Sequence, residues 1–356
     1  MQSLDNSTKA FLALVRAGLW EKEVRLLQYQ DIVLSDIRQR AEEQSVVGLI
    51  AAGLEHVSDI KVAKQDVLQF VGQALQLEQR NLAMSHFTSE AVLKMREEGL
   101  NPLLVKGQGI GQCYERPQWR ASGDIDFFFS KEDYPKAVEF FTSWSGNVVQ
   151  DSRYTKSFGV VIDPWFIEIH GTLRSTLSSR QVREIDAVQE DTFKNKKFRV
   201  WKNGETDIYL PEANNDLIFV FTHFVRHFYK EGVCVRQLCD WCRLLWTFRD
   251  SIDAGLLTAR IKRMNLMDEW HAFAALAVDY LGMPVEAMPL YSADKKWHVK
   301  GEEIMSYILD GKESGKVAQT LAIAKIFPWN TIKFSPSIFF HLNWLKIKER
   351  VFGNGN

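Results

Sequence analysis

The residues of this chain whose types and spacing could do chemistry lie in Gly123-Asp124-Ile125-Asp126-Phe127-Phe128-Phe129, reached through Arg120-Ala121-Ser122. Side chains alternate across a β-strand, so Asp124 and Asp126 share one face while Ile125 and Phe127 turn to the other. Carboxylates held this close repel. A site that keeps both ionised needs a compensating cation, and hydrated Mg²⁺, a hard ion that prefers oxygen ligands, is the usual one. Alone, Asp-x-Asp is equally a solvated strand end. Two neighbouring stretches give it context. Upstream, Leu103-Leu104-Val105-Lys106-Gly107-Gln108-Gly109 is an apolar run that opens into a glycine-containing turn, and Ile110 to Tyr114 can begin a helix. Downstream, Trp165-Phe166-Ile167-Glu168-Ile169-His170-Gly171 is a second apolar run with one acid in alternating register.

The elements that must position these residues follow from periodicity. Between Lys64 and Glu98 there is no proline and only Gly72, with Val67, Val71, Leu75, Leu82 and Val92 at helical intervals, which predicts one long helix or two abutting ones. Gly99 offers a left-handed cap and Pro102 cannot continue a helix, so the first strand begins at Leu103. After the Asp-x-Asp strand, Ser130 can cap a helix whose early acids, Glu132 and Asp133, suit its positive end; the helix runs to about Trp144 and stops at Gly146-Asn147. Phe158 to Ile162 and Trp165 to Ile169 read as a hairpin across Asp163-Pro164.

The order of these features resembles a family. A strand ending in a glycine turn, a helix, acid-x-acid on the next strand and a lone acid on a later strand is similar to the polymerase-beta type of nucleotidyltransferase. The finer wording resembles the bacterial group known as uncharacterised nucleotidyltransferases: Lys106-Gly107, then Tyr114 and Pro117, then Arg120 before Gly123-Asp124-Ile125-Asp126, then Glu168-Ile169-His170. The motifs cover roughly residues 100 to 172. One departure is Gln108, which stands where the family's turn carries Gly or Ser, with Gly109 beside it to supply flexibility.

The resemblance implies in-line attack of a hydroxyl on the α-phosphate of a nucleoside triphosphate, assisted by two ions, Mg²⁺ or Mn²⁺, about 3.5 to 4 Å apart. Asp124 and Asp126 would bridge them, and Glu168 would complete the one that activates the nucleophile. Lys106 and the backbone N–H groups of Gly107 and Gln108 would contact the β- and γ-phosphates. Arg120 is the further phosphate clamp, and the binding set extends to Ser122 and Gly123. His170 points to the same face as Glu168 and either assists proton removal or serves as a hydrogen-bonded structural group.

Beyond about residue 205 the pattern returns to helix. Glu212 to Tyr229 sets Leu217, Val220, Phe221, Phe224 and Phe228 against a stripe of His223, Arg226, His227 and Lys230. Val235 to Phe248 repeats the design, with Arg236 and Asp240 on the polar side. The two stripes form either the far wall of a nucleotide cleft, contributing His223, Arg236 and Asp240, or two solvated surfaces. His223 and His227, and Cys234-x4-Cys239-x2-Cys242, have spacings that superficially suit zinc or an iron-sulfur cluster. The cysteines lie in an amphipathic helical pattern without a fourth ligand, and burial as small hydrophobes accounts for them. The last third breaks at Gly282-Met283-Pro284, Phe327-Pro328 and Ser335-Pro336. Ser337 to Phe352 is a basic amphipathic segment that packs its aromatic stripe on the body or lies against a membrane or RNA.

At 356 residues, with 46% hydrophobic and 25% charged residues, the chain is an ordinary globular one of more than one compact unit. A net charge of −1 provides no global attraction for nucleic acid, so a polynucleotide partner would need a local basic patch. Asp5, Lys9 and Arg16 interrupt any leader-like run, no uncharged stretch approaches the roughly 18 residues of a membrane span, and the four cysteines are too few for a disulfide framework. The expectation is a cytoplasmic α+β protein: an N-terminal helical region (1–99), a nucleotidyltransferase core with a small mixed sheet (100–205) and a C-terminal helical domain (206–356). It transfers a nucleoside monophosphate to an unidentified hydroxyl on a small molecule, a protein or a tRNA end. The competing reading is a catalytically silent nucleotide-binding module that regulates a partner; such a module would be expected to have lost one of the three acids.

Overall fold

The computed structural model describes residues 4–152, 156–174, 178–310 and 316–334. Helices α1 (Asn6–Trp20), α2 (Leu34–Glu43) and α3 (Val47–Glu55) lead into α4 (Lys64–Glu97), a single unbroken helix of 34 residues. It ends where the sequence predicts. Gly99 adopts the left-handed conformation at φ 74°, the Leu100 N–H donates to the Met95 carbonyl at 2.8 Å, and the chain enters β1 (Leu103–Val105) directly after Pro102.

A short helix α5 (Gly107–Gly111) and strand β2 (Ile125–Phe128) follow. Ser130 starts a turn in which its hydroxyl accepts from the Asp133 N–H at 3.1 Å, so α6 (Tyr134–Ser145) begins one turn later than the capping pattern suggested. Next come β3 (Val148–Ser152) and the expected hairpin, β4 (Ser157–Ile162) with β5 (Trp165–His170). Helix α7 (Ser179–Lys194) leads to a second hairpin, β6 (Phe198–Asn203) and β7 (Thr206–Pro211). The return to helix therefore comes at Ala213 and not at 205, because Thr206, Ile208 and Leu210 alternate into the core. Helices α8 (Ala213–Lys230), α9 (Val235–Thr247), α10 (Ala254–Met264), α11 (Met267–Leu281), α12 (Lys295–Asp310), α13 (Lys316–Ile326) and α14 (Pro328–Phe334) complete the described chain. The basic amphipathic segment expected at Ser337 to Phe352 lies outside the described residues.

The fold is α+β. Its sheet has seven strands in the order β3-β4-β5-β2-β1-β7-β6. β2 pairs in parallel with β5, and β1 in parallel with β7; the other four pairings are antiparallel. One face carries Leu104, Ile125, Phe127, Ile167 and Ile169 against Met84, Val92 and Met95 of α4 and Phe141 of α6. The other face carries Leu103, Val105 and Phe128 against α7 and α8, in a core that continues through α1, α3, α9 and α11. Alternation puts Asp126 on that second face, beside Phe128. Cys113, Cys239 and Cys242 are buried within it, and Cys234 is half-buried. Among the described residues no helix is long and apolar enough to cross a membrane.

Phe128 is fully buried and meets the rings of Phe193 and Phe219 edge-on, at centroid distances of 4.9 and 5.7 Å, joining β2 to α7 and α8. Phe128→Ala is expected to cost roughly 3–5 kcal/mol of stability in urea unfolding. A cost below about 1 kcal/mol would mean that the site collapses around the truncated side chain and that β2 is not anchored there.

Candidate active site

Parallel pairing of β2 with β5 sets Asp126 opposite Glu168 and Phe128 opposite His170. The two acids and the histidine therefore share one face. Asp126 is almost wholly buried, and one of its oxygens, Oδ1, receives both Lys106 Nζ at 2.8 Å and His170 Nε2 at 2.7 Å. His170 Nε2 also lies 3.5 Å from Glu168 Oε2. The other Glu168 oxygen accepts from the Ser157 hydroxyl across the hairpin at 2.5 Å. One ligand atom from each of Asp126, Glu168 and His170 lies within 4.8 Å of the others, and among the described residues this is the group that converges closely enough to hold a metal ion. Asp124 sits one residue before the start of β2 and lines the same cleft.

The charges are not at rest with one another. The negative charge of Asp126, and then burial, push the Asp124 carboxyl above its ordinary value. For Asp126 itself, burial opposes ionisation, but Lys106 and His170 outweigh it and hold the carboxyl well below the usual carboxylate range. Lys106 is likewise penalised by burial, yet Asp126 and Glu168 raise its affinity for the proton. Lys106 offsets part of the negative charge, but Asp124 is still disfavoured by the ionised Asp126, a like-charge repulsion that a divalent cation would relieve. Oxygen donors of this kind fit such an ion.

The turn between β1 and α5 is bent sharply. Lys106, a residue with a side chain, adopts φ 56° and ψ −143°, and Gly107 follows at φ 33°. Positive φ at a non-glycine residue is costly and is kept where surroundings enforce it. Here it aims the Lys106 ammonium at Asp126. Gln108 explains its own presence: its buried amide donates to the Asn81 carbonyl at 3.0 Å and the Ser85 hydroxyl at 2.9 Å, and accepts from Thr88 at 3.1 Å. It is a strut from α5 to α4. Gly107 lines the cleft.

The cleft, of about 550 Å³, runs from this carboxylate group to α8 and α9, whose polar stripes form its far wall with His223, His227, Arg236 and Asp240. His223 Nε2 and His227 Nε2 lie 3.1 Å apart, and His227 Nδ1 is 3.1 Å from Glu231. Burial, then the Lys106 ammonium, lower the His223 pKa well below that of a free imidazole. Arg236 donates to the Ala121 carbonyl at 2.7 Å, while its buried Nε has no hydrogen-bond partner. Arg120, expected from its sequence position to clamp phosphate, lines the cleft and is engaged by protein groups. Its guanidinium is buried in a two-pronged pair with Asp240, at 2.9 and 2.6 Å, and its remaining nitrogen donates to the Ala121 carbonyl and the Ser122 hydroxyl. Tyr114 donates to the same Asp240 at 2.7 Å. Ser122 thus accepts from Arg120, and Gly123 is exposed, with its carbonyl accepting from Arg80 at 3.2 Å.

The family model described as "Uncharacterised nucleotidyltransferase" matches residues 32–282, well over half of the chain. The chain belongs to that family. No curated protein and no solved structure matches it. Membership makes this nucleotidyltransferase an enzyme that transfers phosphorus-containing groups, and the matched span includes the whole seven-stranded sheet, the carboxylate group and the far wall of the cleft.

Two contributors escaped the sequence. Arg80 braces the loop before Asp124 from mid-α4, donating to the Ser122 and Gly123 carbonyls, and no local pattern links it to a loop some forty residues away. Ser157 was legible in principle, since the hairpin register puts it opposite His170 and so diagonal to Glu168.

Two outcomes are expected from this geometry. Asp240 has its pKa lowered: burial opposes the charge, and Arg120 outweighs it. Its contribution is thus fully present above about pH 4, the unfolded value, and is lost as pH falls through the lower folded value. Arg120→Gln should lower stability by about 3–5 kcal/mol at neutral pH by leaving a buried carboxylate unpaired, and the difference from wild type should shrink below about pH 4 in urea titrations. Second, His223 should remain neutral at about pH 6.5, where a free imidazole is half protonated; ¹⁵N shifts of the ring, followed with pH, read this directly.

Proposed function

We propose that this nucleotidyltransferase transfers a nucleoside monophosphate from a nucleoside triphosphate to a hydroxyl acceptor, with Mg²⁺ or Mn²⁺ as cofactor. The observation that carries the reading is the alignment of Asp126 with Glu168 across β2 and β5, with Asp124 at the strand's mouth and Lys106 on the adjoining turn. Asp124, Asp126 and Glu168 would hold the cation. When bound, such an ion supplies charge neutralisation at the phosphates and a lower pKa for the attacking hydroxyl.

The chain's own groups divide the remaining work. Lys106 carries its charge at the head of a glycine turn, where it and the backbone N–H groups of Gly107 and Gln108 meet the β- and γ-phosphates. Ser122 and Gly123 frame the loop that delivers Asp124. His170 keeps Asp126 ionised and oriented before the cation arrives. On the far wall, Arg236 lines the cleft while its guanidinium holds the Ala121 carbonyl, and a neutral His223 can exchange hydrogen bonds with the nucleotide. Arg120 and Asp240 act through structure, by locking α9 to the loop that precedes the acids. In the transfer, a bond forms between the acceptor oxygen and the α-phosphorus, and the bond from that phosphorus to the bridging oxygen breaks to release pyrophosphate. The acceptor is a hydroxyl on a small molecule, a protein side chain or a tRNA end, and a net charge of −1 favours the first two.

The test is thermal unfolding with each nucleoside triphosphate and Mg²⁺ or Mn²⁺, on wild type and on the Asp124→Asn, Asp126→Asn double variant. A triphosphate at about 100 times its dissociation constant should stabilise wild type by about 2.7 kcal/mol, and the double variant should lose that gain. The reading fails if no triphosphate stabilises wild type, or if the double variant is stabilised equally.

A further inference from the structure

The proposed reading assigns the cation to carboxylates, as the family resemblance implies, yet the convergent group in this chain contains a ring nitrogen. Ligand atoms around a six-coordinate ion with bonds near 2.1 Å lie about 3 Å apart when adjacent and about 4.2 Å apart when opposite. His170 Nε2 is 2.7 Å from Asp126 Oδ1 and 3.5 Å from Glu168 Oε2, and one ligand atom from each of the three side chains falls within 4.8 Å of the others. The 3.5 Å separation lies between the adjacent and opposite values, and the 2.7 Å one, here a hydrogen bond, is slightly shorter than an adjacent pair, so an ion that displaces the hydrogen bond meets all three side chains with small shifts. His170 is also held for the purpose. It is the last residue of β5, nearly buried, and its backbone is held between two strands: the Phe129 N–H donates to the His170 carbonyl at 2.9 Å, and the residue sits in register with Phe128 of β2 on one side and Ser157 of β4 on the other. The backbone is thus fixed beside the two acids, and hydrogen-bond distance from Asp126 Oδ1 sets the ring toward them.

We infer that His170 is a nitrogen ligand of the cation held by Asp126 and Glu168, and that the site therefore prefers a first-row transition ion such as Mn²⁺ to Mg²⁺. The inference rests on the cation reading of the proposed function and deepens it. Imidazole nitrogen suits transition ions, whereas Mg²⁺ prefers oxygen donors and gives up its water reluctantly. An all-carboxylate site would lack that discrimination. The alternative role for His170, donating a hydrogen bond to Asp126 from outside the coordination shell, would leave the two ions much closer in affinity and would put no nitrogen on the metal.

Pulsed electron paramagnetic resonance of the full chain loaded with Mn²⁺ alone separates the two. A directly bound imidazole modulates the Mn²⁺ echo through its ¹⁴N nucleus, and labelling the protein with ¹⁵N-histidine must change the pattern in wild type, without any substitution that risks the fold. His170→Gln should abolish the modulation, whereas His223→Gln, on the opposite wall, should keep it. Since losing even an outer-shell partner costs about 10–100-fold in metal affinity, His170→Gln should weaken Mn²⁺ binding at least about tenfold while changing Mg²⁺ binding much less. Bound Mn²⁺ with no nitrogen coupling, or coupling that survives His170→Gln, overturns the inference and leaves the carboxylate site standing. Failure of wild type to bind Mn²⁺, or equal binding by Asp126→Asn, overturns the cation reading itself and this inference with it.

Discussion

The structure turns on one buried carboxylate. Asp126 has lost nearly all contact with water, and it stays ionised because Lys106 and His170 converge on the same oxygen. Removing a charge from water costs several kcal/mol even after relaxation, so a pair of this kind is poor evidence of stabilisation in its own right. What keeps it affordable is that each partner arrives on a separate rigid element. Lys106 comes from a turn forced into positive φ, His170 from the end of β5, and Asp126 from the middle of a fully buried β2. Slipping the β2–β5 register by one residue would send Asp126 or Glu168 to the opposite face, into the hydrophobic layer under α4 and α6. The register is held by Ile125, Phe127, Ile167 and Ile169, which fill that layer on alternate positions.

A second buried pair does for the cleft what the first does for the sheet. Arg120 and Asp240 meet through two hydrogen bonds across 120 residues of sequence, with Tyr114 completing the carboxylate. Arg236, one helical turn before Asp240, donates to the Ala121 carbonyl. Together they bind α9 to the segment that leads into Asp124 and Asp126, while Arg80 clasps the same segment from α4. The loop carrying the first acid is therefore gripped from both sides. Nothing about an arginine four residues before an acid announces that it will pair with a buried aspartate; that pairing is supplied by a carboxylate on a distant helix whose desolvation calls for a cation.

Gln108 makes the same point from the opposite direction. In sequence it interrupts a glycine turn, and in space its amide satisfies Asn81, Ser85 and Thr88 on the face of α4. The long helix could be recognised from its spacing, but which of its residues would meet a short helix beyond the next strand could not. The β6–β7 hairpin escaped for a different reason. Its alternation, Thr206, Ile208 and Leu210 inward against Asp207 and Tyr209, was present in the chain, but the segment abuts a strong helical pattern and contains little of the branched apolar run that marked β1 and β5.

The chain by itself determined the acids and their order, the helical frame on either side of the sheet, the Gly99 stop that launches β1, and the hairpin that returns Glu168. Those follow from local rules of period, capping and turn chemistry, which act over a few residues. Tertiary structure alone decided that β2 and β5 run parallel, that the nitrogen of His170 joins Asp126 and Glu168 while Asp124 stands at the edge, and that Arg120 closes on Asp240. Each of these brings together groups far apart in sequence: the apolar layer under α4 and α6 fixes the β2–β5 register, and an ionised group inside a protein must find its partner wherever the fold supplies one, which no short pattern encodes.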